Sequence, residues 1–350
     1  TPRAWLFRNL RVKQTAIITM VALVASGVTG VTLAWNGFAY WGIAWQNITY
    51  CLFITIGSWM AAEWRPTFHL DFRPLRGMIG FSSKLLATNI FTHINNNLFS
   101  LFFGRLYGER MVGYYNQANK WTGMGYNTLT GMVWSVTQPL FARLSYDDPQ
   151  RMREVFRKML RFTCFLSFPS LFGLGLIAPE FITIAITDKW LPSAQLMQLL
   201  CVGGAFMPVA SLYSNFLISQ GKSNVFMYNT MAQCLVQMLF MVALYPYGVE
   251  AMVVAYVVVN ILWVFAWHFF VRRTMTLTLV ESLRDMFPFM VLSLLAMAAA
   301  WGASLLVEGH VALSLLVKVV VAAVTYLALM WMFGAAILKE CFAYLRHRKA

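Results

Sequence analysis

Apolar residues in this chain come in long runs separated by short polar breaks, not in alternation. Ten runs are long enough to cross a bilayer, at about 20 residues per crossing. They cover residues 15–35, 39–62, 80–103, 114–141, 159–178, 193–218, 225–245, 249–271, 288–307 and 311–337. Turns are marked by Trp35-Asn36-Gly37, Tyr245-Pro246-Tyr247-Gly248 and Val307-Glu308-Gly309. The pattern predicts an all-α polytopic membrane protein with both ends of the chain on one side.

One run departs from the rest. Residues 80–103 read GFSSKLLATNIFTHINNNLFSLFF. Wound at roughly 100° per residue, Ile90, Phe91, Ile94, Leu98, Leu101 and Phe102 share one arc. Asn89, His93, Asn96, Asn97 and Ser100 fall on the opposite arc, with Thr88, Thr92 and Asn95 beside them. Such a helix cannot be ringed by lipid, so its polar arc must face protein or a watery cavity. The run 114–141 carries a second stripe, Asn116, Lys120, Asn127 and Gln138, at steps of three and four. In 225–245, Asn229, Gln233 and Gln237 recur every four residues and fit helix–helix hydrogen bonding as packing glue. Lys84 and Lys120 are costly inside a bilayer, roughly 2.5–3.5 kcal/mol each on insertion scales. They read either as site residues or as snorkelling side chains. Lys318 lies on an apolar, peripheral-looking run and reads as snorkelling.

Composition agrees with a membrane protein: 59% of the 350 residues are hydrophobic and 11% charged, with mean hydropathy +0.63. The net charge of +14 would suggest nucleic acid in a soluble protein, but here the charges sit between apolar runs. Of 27 Lys and Arg, 21 fall in the segments on the side of the termini, three on the other side (Arg105, Arg110, Lys189), and Lys84, Lys120 and Lys318 inside runs. The positive-inside rule then puts both ends in the cytoplasm. The basic connections 63–77 and 142–158 read as topological anchors or contacts with anionic headgroups, the second with an interfacial helix from Pro149. The segment 179–192 is expected on the opposite membrane surface. All 13 Asp and Glu fall in loops or at run ends. No central carboxylate is left for proton or sodium coupling or for cationic drugs. Lysine and carboxamides without acid suit an anionic, hydroxyl-rich cargo.

Enzyme readings find no support. His69, His93, His268, His310 and His347 are scattered, and Cys51, Cys164, Cys201, Cys234 and Cys341 have no metal or redox spacing. There is neither a phosphate-binding glycine loop nor a nucleophile elbow, and no cofactor is expected. The chain opens on Thr1 without a signal peptide, which reads as a fragment or a processed chain.

A weak repeat is also present. Leu6–Trp59 slid onto Leu217–Phe270 matches Arg11 with Lys222, Gly37 with Gly248 and Ala44 with Ala255. This divides the chain into 1–62, the last two helices of an N-terminal bundle; 63–79, a linker; 80–271, a six-helix bundle; 272–337, a final helix pair; and 338–350, a tail. The intact protein would then carry about four more spans, in the repeated-halves architecture of transporters.

The stretches GFSSKLLATNI (80–90), GYYNQANKW (113–121), the DD…RKMLR run (147–161), DKWLPSAQLMQLLC (188–201) and ISQGKSN (218–224) resemble the polysaccharide-transport branch of the multidrug/oligosaccharidyl-lipid/polysaccharide exporter superfamily. The likeness is strongest to colanic-acid-exporter-like and O-antigen flippases. It implies two six-helix bundles in an inverted V, a final pair, and alternating access in the bacterial inner membrane. The implied cargo is an undecaprenyl-diphosphate-linked oligosaccharide, moved from the cytoplasmic to the periplasmic leaflet for capsule, exopolysaccharide or O-antigen synthesis. Membrane lipids, polysaccharide polymerase and other assembly proteins are the implied partners, with no nucleic acid. Lys84 and Lys120 would attract diphosphate; Asn89, His93, Asn96, Asn97, Asn127 and Gln138 would bind water and sugar. A membrane scaffold or enzyme of glycan assembly, or a cation-coupled drug antiporter, are the competing readings.

Overall fold

The computed structural model describes residues 2–9, 11–63, 73–143, 149–307 and 310–332. Contacts divide the chain into two compact units, Thr1–Gly77 and Met78–Ala350.

In the first unit, α1 (Pro2–Arg8) precedes α2 (Val12–Trp35) and α3 (Ala39–Ala61). The last two form an antiparallel hairpin. Its turn falls at Asn36-Gly37, where Gly37 has φ +81°, a left-handed conformation that glycine adopts without a Cβ clash. The amide of Phe38 closes the turn on the Leu33 carbonyl at 3.0 Å. An exposed Arg11–Glu63 ion pair of 2.8 Å joins the two ends of the hairpin.

Two long helices follow, α4 (Arg73–Tyr107), which opens the second unit from Met78 onward, and α5 (Glu109–Arg143). Next comes α6 (Pro149–Leu176). The interfacial helix expected from Pro149 is not separate: it is the first turns of α6. A short helix α7 (Ala178–Ala185) follows, its Ile182 fully buried. The expected surface segment is thus partly packed into the core.

The run 193–218 is broken in two, α8 (Pro192–Gly204) and α9 (Met207–Ser219). Pro208, at the start of α9, has no N–H for the Gly204 carbonyl and its ring crowds that turn. Beside the break, Ser167 Oγ of α6 donates to the Ala205 carbonyl at 2.5 Å. Helix α10 (Ser223–Leu244) and α11 (Val249–Met275) form a hairpin. Its turn ends on Gly248 at φ +95°. Last are α12 (Leu279–Ser304) and α13 (Val311–Met332). The third expected turn, at Glu308-Gly309, lies outside the described residues.

Helix α12 starts nine residues before the expected run at 288, because Thr278 and Glu281 form a capping box: the Glu281 amide donates to Thr278 Oγ1 at 3.3 Å and the Thr278 amide to Glu281 Oε2 at 3.1 Å. Asp285 therefore lies inside a helix, buried, and its carboxylate takes two hydrogen bonds from Arg157 of α6 at 2.6 and 3.0 Å. Arg153, one turn earlier, pairs with Glu281.

Among the described residues, seven helical segments are long and apolar enough to cross a membrane: 13–35, 150–176, 192–219, 223–247, 249–275, 279–304 and 311–332. Helices α3, α4 and α5, at 23, 35 and 35 residues, have the length but not the hydropathy. The core of the second unit is aromatic. Phe141, Phe156, Tyr213 and Phe216 interlock with centroids 5.0–6.1 Å apart, each buried at 1% exposure or less.

Candidate functional site

Helices α4 and α5 run antiparallel from the turn at Gly108. Phe99 stacks on Tyr115 with centroids 5.7 Å apart. Ser100 Oγ donates to Asn116 Oδ1 at 2.7 Å. That hydrogen bond joins the two polar stripes foreseen in the sequence. The register it sets puts Asn97 level with Lys120 and Asn89 level with Asn127.

On α4, Asn89, His93 and Asn97 are exposed within this unit, Thr92 half-buried and Thr88 buried. Asn97 Nδ2 returns to the His93 carbonyl at 2.8 Å. The apolar arc is not wholly covered either: Ile90 and Ile94 are 49% and 46% exposed. On α5, Asn116, Lys120, Asn127, Thr128, Gly131 and Ser135 lie along one exposed stripe, interspersed with Met124, Met132 and Val136. Lys120 Nζ stands 5.7 Å from the Trp121 ring centroid, close enough for a cation–π attraction. The side chains of Lys84, Asn96 and Gln138 lie outside the described residues, though the backbone of α4 and α5 carries all three positions.

The contrast with the rest of the unit decides what this face can do. On α11 the exposed positions read Val254, Val258, Leu262, Phe265 and Phe269, and on α13 Leu313, Leu316, Val320, Val324 and Leu327. Those faces suit hydrocarbon. The stripe on α5 does not, because amides and an ammonium left in lipid lose their hydrogen bonds with water. It can exchange hydrogen bonds with hydroxyls and attract an anion at Lys120.

Other polar residues hold helices together. Gln233 and Gln237 of α10 both donate to Asn260 Oδ1 of α11, at 2.9 and 3.0 Å, and Asn229 Oδ1 accepts from Trp263 Nε1 at 3.2 Å. The packing reading of that triplet is thus the observed one. Its hub, Asn260, escaped the sequence reading. Its signal is the lone amide inside Val257-Val258-Val259-Asn260-Ile261-Leu262. Asn215 similarly donates to Thr137 at 2.7 Å, joining α9 to α5.

Lys318 corrects an expectation. It does not snorkel: it is 8% exposed, and its ammonium is paired with Glu180 of α7, which also accepts from Ser314. The half-buried carboxylate beside it offsets the cost of burying the lysine.

A family model described as "Polysaccharide biosynthesis protein" matches residues 1–195. Among curated proteins, the lipopolysaccharide biosynthesis protein WzxC of Escherichia coli (strain K12) is 27% identical over 162 residues, 46% of this chain and 33% of that one. The succinoglycan biosynthesis transport protein ExoT of Rhizobium meliloti (strain 1021) is 21% identical over 220 residues, 63% and 44% respectively. The chain spans less than half the length of these relatives. Among solved structures, an inward closed conformation of the lipid II flippase MurJ superposes with TM-score 0.68 and 14% identity, covering 91% of this chain and 67% of that one.

Proposed function

The chain belongs to the polysaccharide biosynthesis protein family, and from that premise we propose that it works as a flippase for lipid-linked oligosaccharide, a transporter and not an enzyme. The cargo is an oligosaccharide on undecaprenyl diphosphate. It passes from the cytoplasmic to the periplasmic leaflet by alternating access, on the way to capsule, exopolysaccharide or O-antigen, with polysaccharide polymerase and other assembly proteins downstream. The protein sits in the bacterial inner membrane, with both ends of this chain cytoplasmic. Residues 80–271 act as one six-helix bundle and 272–337 as a helix pair attached to it.

The observation that carries this reading is the exposed polar stripe on α4 and α5. Asn89, His93, Asn97 and Asn127, with Asn96 and Gln138 on the same helices, offer hydrogen bonds to sugar hydroxyls and to the water that accompanies them. Lys120, with Lys84 on α4, attracts the diphosphate as point charges. The shared fold with a flippase and the relative named as a transport protein support the same direction.

The test uses the full-length protein in liposomes loaded with a fluorescent polyprenyl-diphosphate oligosaccharide, with leaflet exchange followed by quencher access. Wild type exchanges the probe, and Lys84→Ala/Lys120→Ala lowers the rate at least about tenfold with insertion unchanged, as expected for losing charge-assisted contacts. Full exchange by the double variant removes the lysines from the mechanism. Absence of exchange in a folded wild-type sample overturns the flippase reading.

A further inference from the structure

An open, mostly polar cleft of about 620 Å³ runs along the first half of α6. Its lining is Gln150, Arg153, Glu154, Arg157 and Arg161 of α6, with Thr276 from the end of α11. The three arginines recur every four residues and so share one helix face. Their carboxylate partners, Glu281 and Asp285, belong to α12 and are not part of the lining. The lining therefore sets three guanidinium groups against one carboxylate, that of Glu154.

The three cations are not equally engaged. Arg157 bonds Asp285 twice, at 2.6 and 3.0 Å, and stands 3.6 Å from Glu281. Arg153 pairs with Glu281 through one terminal nitrogen, and its Nε has no partner among the described residues. Arg161 comes only within 4.0 Å of Asp285 Oδ1, an oxygen that Arg157 already holds. Its Nε, too, has no partner among those residues. Yet the Arg161 side chain is 39% exposed and that of Arg153 33%. A guanidinium carries five donors and keeps its charge. Arg157 thus acts as a structural clamp, and the arginines one turn to either side of it have donors to spare.

The position along the helix narrows the acceptor. From Gln150 to Arg161 the cleft follows α6 for about 16 Å, at 1.5 Å per residue. Beyond Arg161, residues 162–176 carry no charge. The cleft therefore descends from water to the edge of the hydrocarbon, through the headgroup zone. Arg272 and Arg273, exposed in the last turn of α11, add positive charge four and three residues before Thr276. Arginine forks match phosphate oxygens two at a time, and basic pockets between membrane helices hold headgroups in this way.

We propose that this cleft binds a phosphate group, with Arg161 as its chief contact and Arg153 as the second cation. None of these residues lies on α4 or α5, so the site is separate from the polar stripe and does not rest on the flippase reading.

The experiment is native mass spectrometry of the purified full-length protein in mild detergent, titrated with phosphatidylglycerol and with diacylglycerol of the same chains. Phosphatidylglycerol is expected to bind at least about tenfold more tightly, the worth of a hydrogen bond to a charged group. Arg161→Gln removes that advantage. Gln150→Glu, an exposed change that sets a negative charge in the cleft, lowers it several-fold. Lys189→Gln, past the other end of α6, leaves it unchanged. Thermal unfolding checks that each variant is folded. Inorganic phosphate at millimolar concentration separates the two sources of the group. Displacement of the lipid marks a free-phosphate site and persistence of the lipid a headgroup site, and both uphold the proposal. Equal binding of the two lipids by the wild type would overturn it. So would wild-type binding in folded Arg161→Gln and Gln150→Glu variants, or an equal loss in Lys189→Gln. The wild-type comparison and the Gln150→Glu arm decide the matter even where Arg161→Gln fails to fold.

Discussion

Single residues here do two different jobs with the same chemistry. Lys120 and Lys318 are both lysines on long helices, yet one is exposed beside Trp121 and the other is buried against Glu180. Removing one member of a buried pair strands the other, at a cost of about 3–5 kcal/mol, whereas replacing both by apolar residues is close to neutral. Lys318→Met is therefore expected to lower the thermal unfolding midpoint in detergent markedly, and Lys318→Met/Glu180→Leu to recover most of the loss. Strictly additive losses would show that the pair is not the source. Asn260 offers a milder case. Asn260→Leu removes the acceptor used by Gln233 and Gln237, and the same assay should register roughly 1–2 kcal/mol, the range of interhelical polar contacts in bilayers. At this scale, sequence reading placed Asn89, His93, Asn97, Lys120 and Asn127 on helix faces that are exposed within the unit, but misjudged Lys318. Periodicity shows which face a lysine occupies, not that a carboxylate 138 positions away shares that face.

Elements depend on how their ends are made. Arg157 fixes the first turns of α12 through two hydrogen bonds to Asp285. Arg157→Leu is expected to destabilise the docking of α12 by about 3 kcal/mol, because Asp285 stays buried without its guanidinium. Protease nicking in the 276–279 connection should rise in that variant, and unchanged nicking would show that Arg157 does not hold the start of α12. The helices themselves were readable from the runs of apolar residues, nearly to their ends at 35, 39 and 249. The failures were instructive. The split of α8 from α9 follows from Pro208, a residue present in the apolar run but outweighed there by hydropathy. The early start of α12 was written as Thr278-x-x-Glu281, a local capping signal hidden because Asp285 looks like a loop residue until its partner Arg157 on α6 is known.

For the molecule as a whole, the alternation of basic and non-basic connections predicts which loops face which side of the membrane. With single cysteines introduced into a cysteine-free background, Tyr247→Cys should react with a membrane-impermeant maleimide in intact cells. Gly221→Cys should react only after permeabilisation. The reverse pattern would invert the proposed orientation. The membrane class and the helical architecture were legible from composition and run length. The polar stripe was legible from periodicity. The buried hydrogen-bonding of Asn260 with Gln233 and Gln237 was not, because a lone amide in an apolar run does not say which helix it faces.

The low hydropathy of α4 and α5 has a consequence for how the chain is made. A helix leaving the ribosome is sorted between water and lipid largely by its own side chains, and α4, with its amides, histidine and lysine, gains little by entering lipid alone. What holds it in place arrives later. Tyr107 donates its hydroxyl to the Tyr245 carbonyl, 138 residues downstream, and Phe99 meets Tyr256 edge-on at 4.9 Å. During synthesis α4 is therefore expected to shelter against α5 until α10 and α11 have been translated, while α5 itself gains α6, α8 and α9 earlier. A chain stopped before residue 245 should leave α4 held in the membrane only through α5.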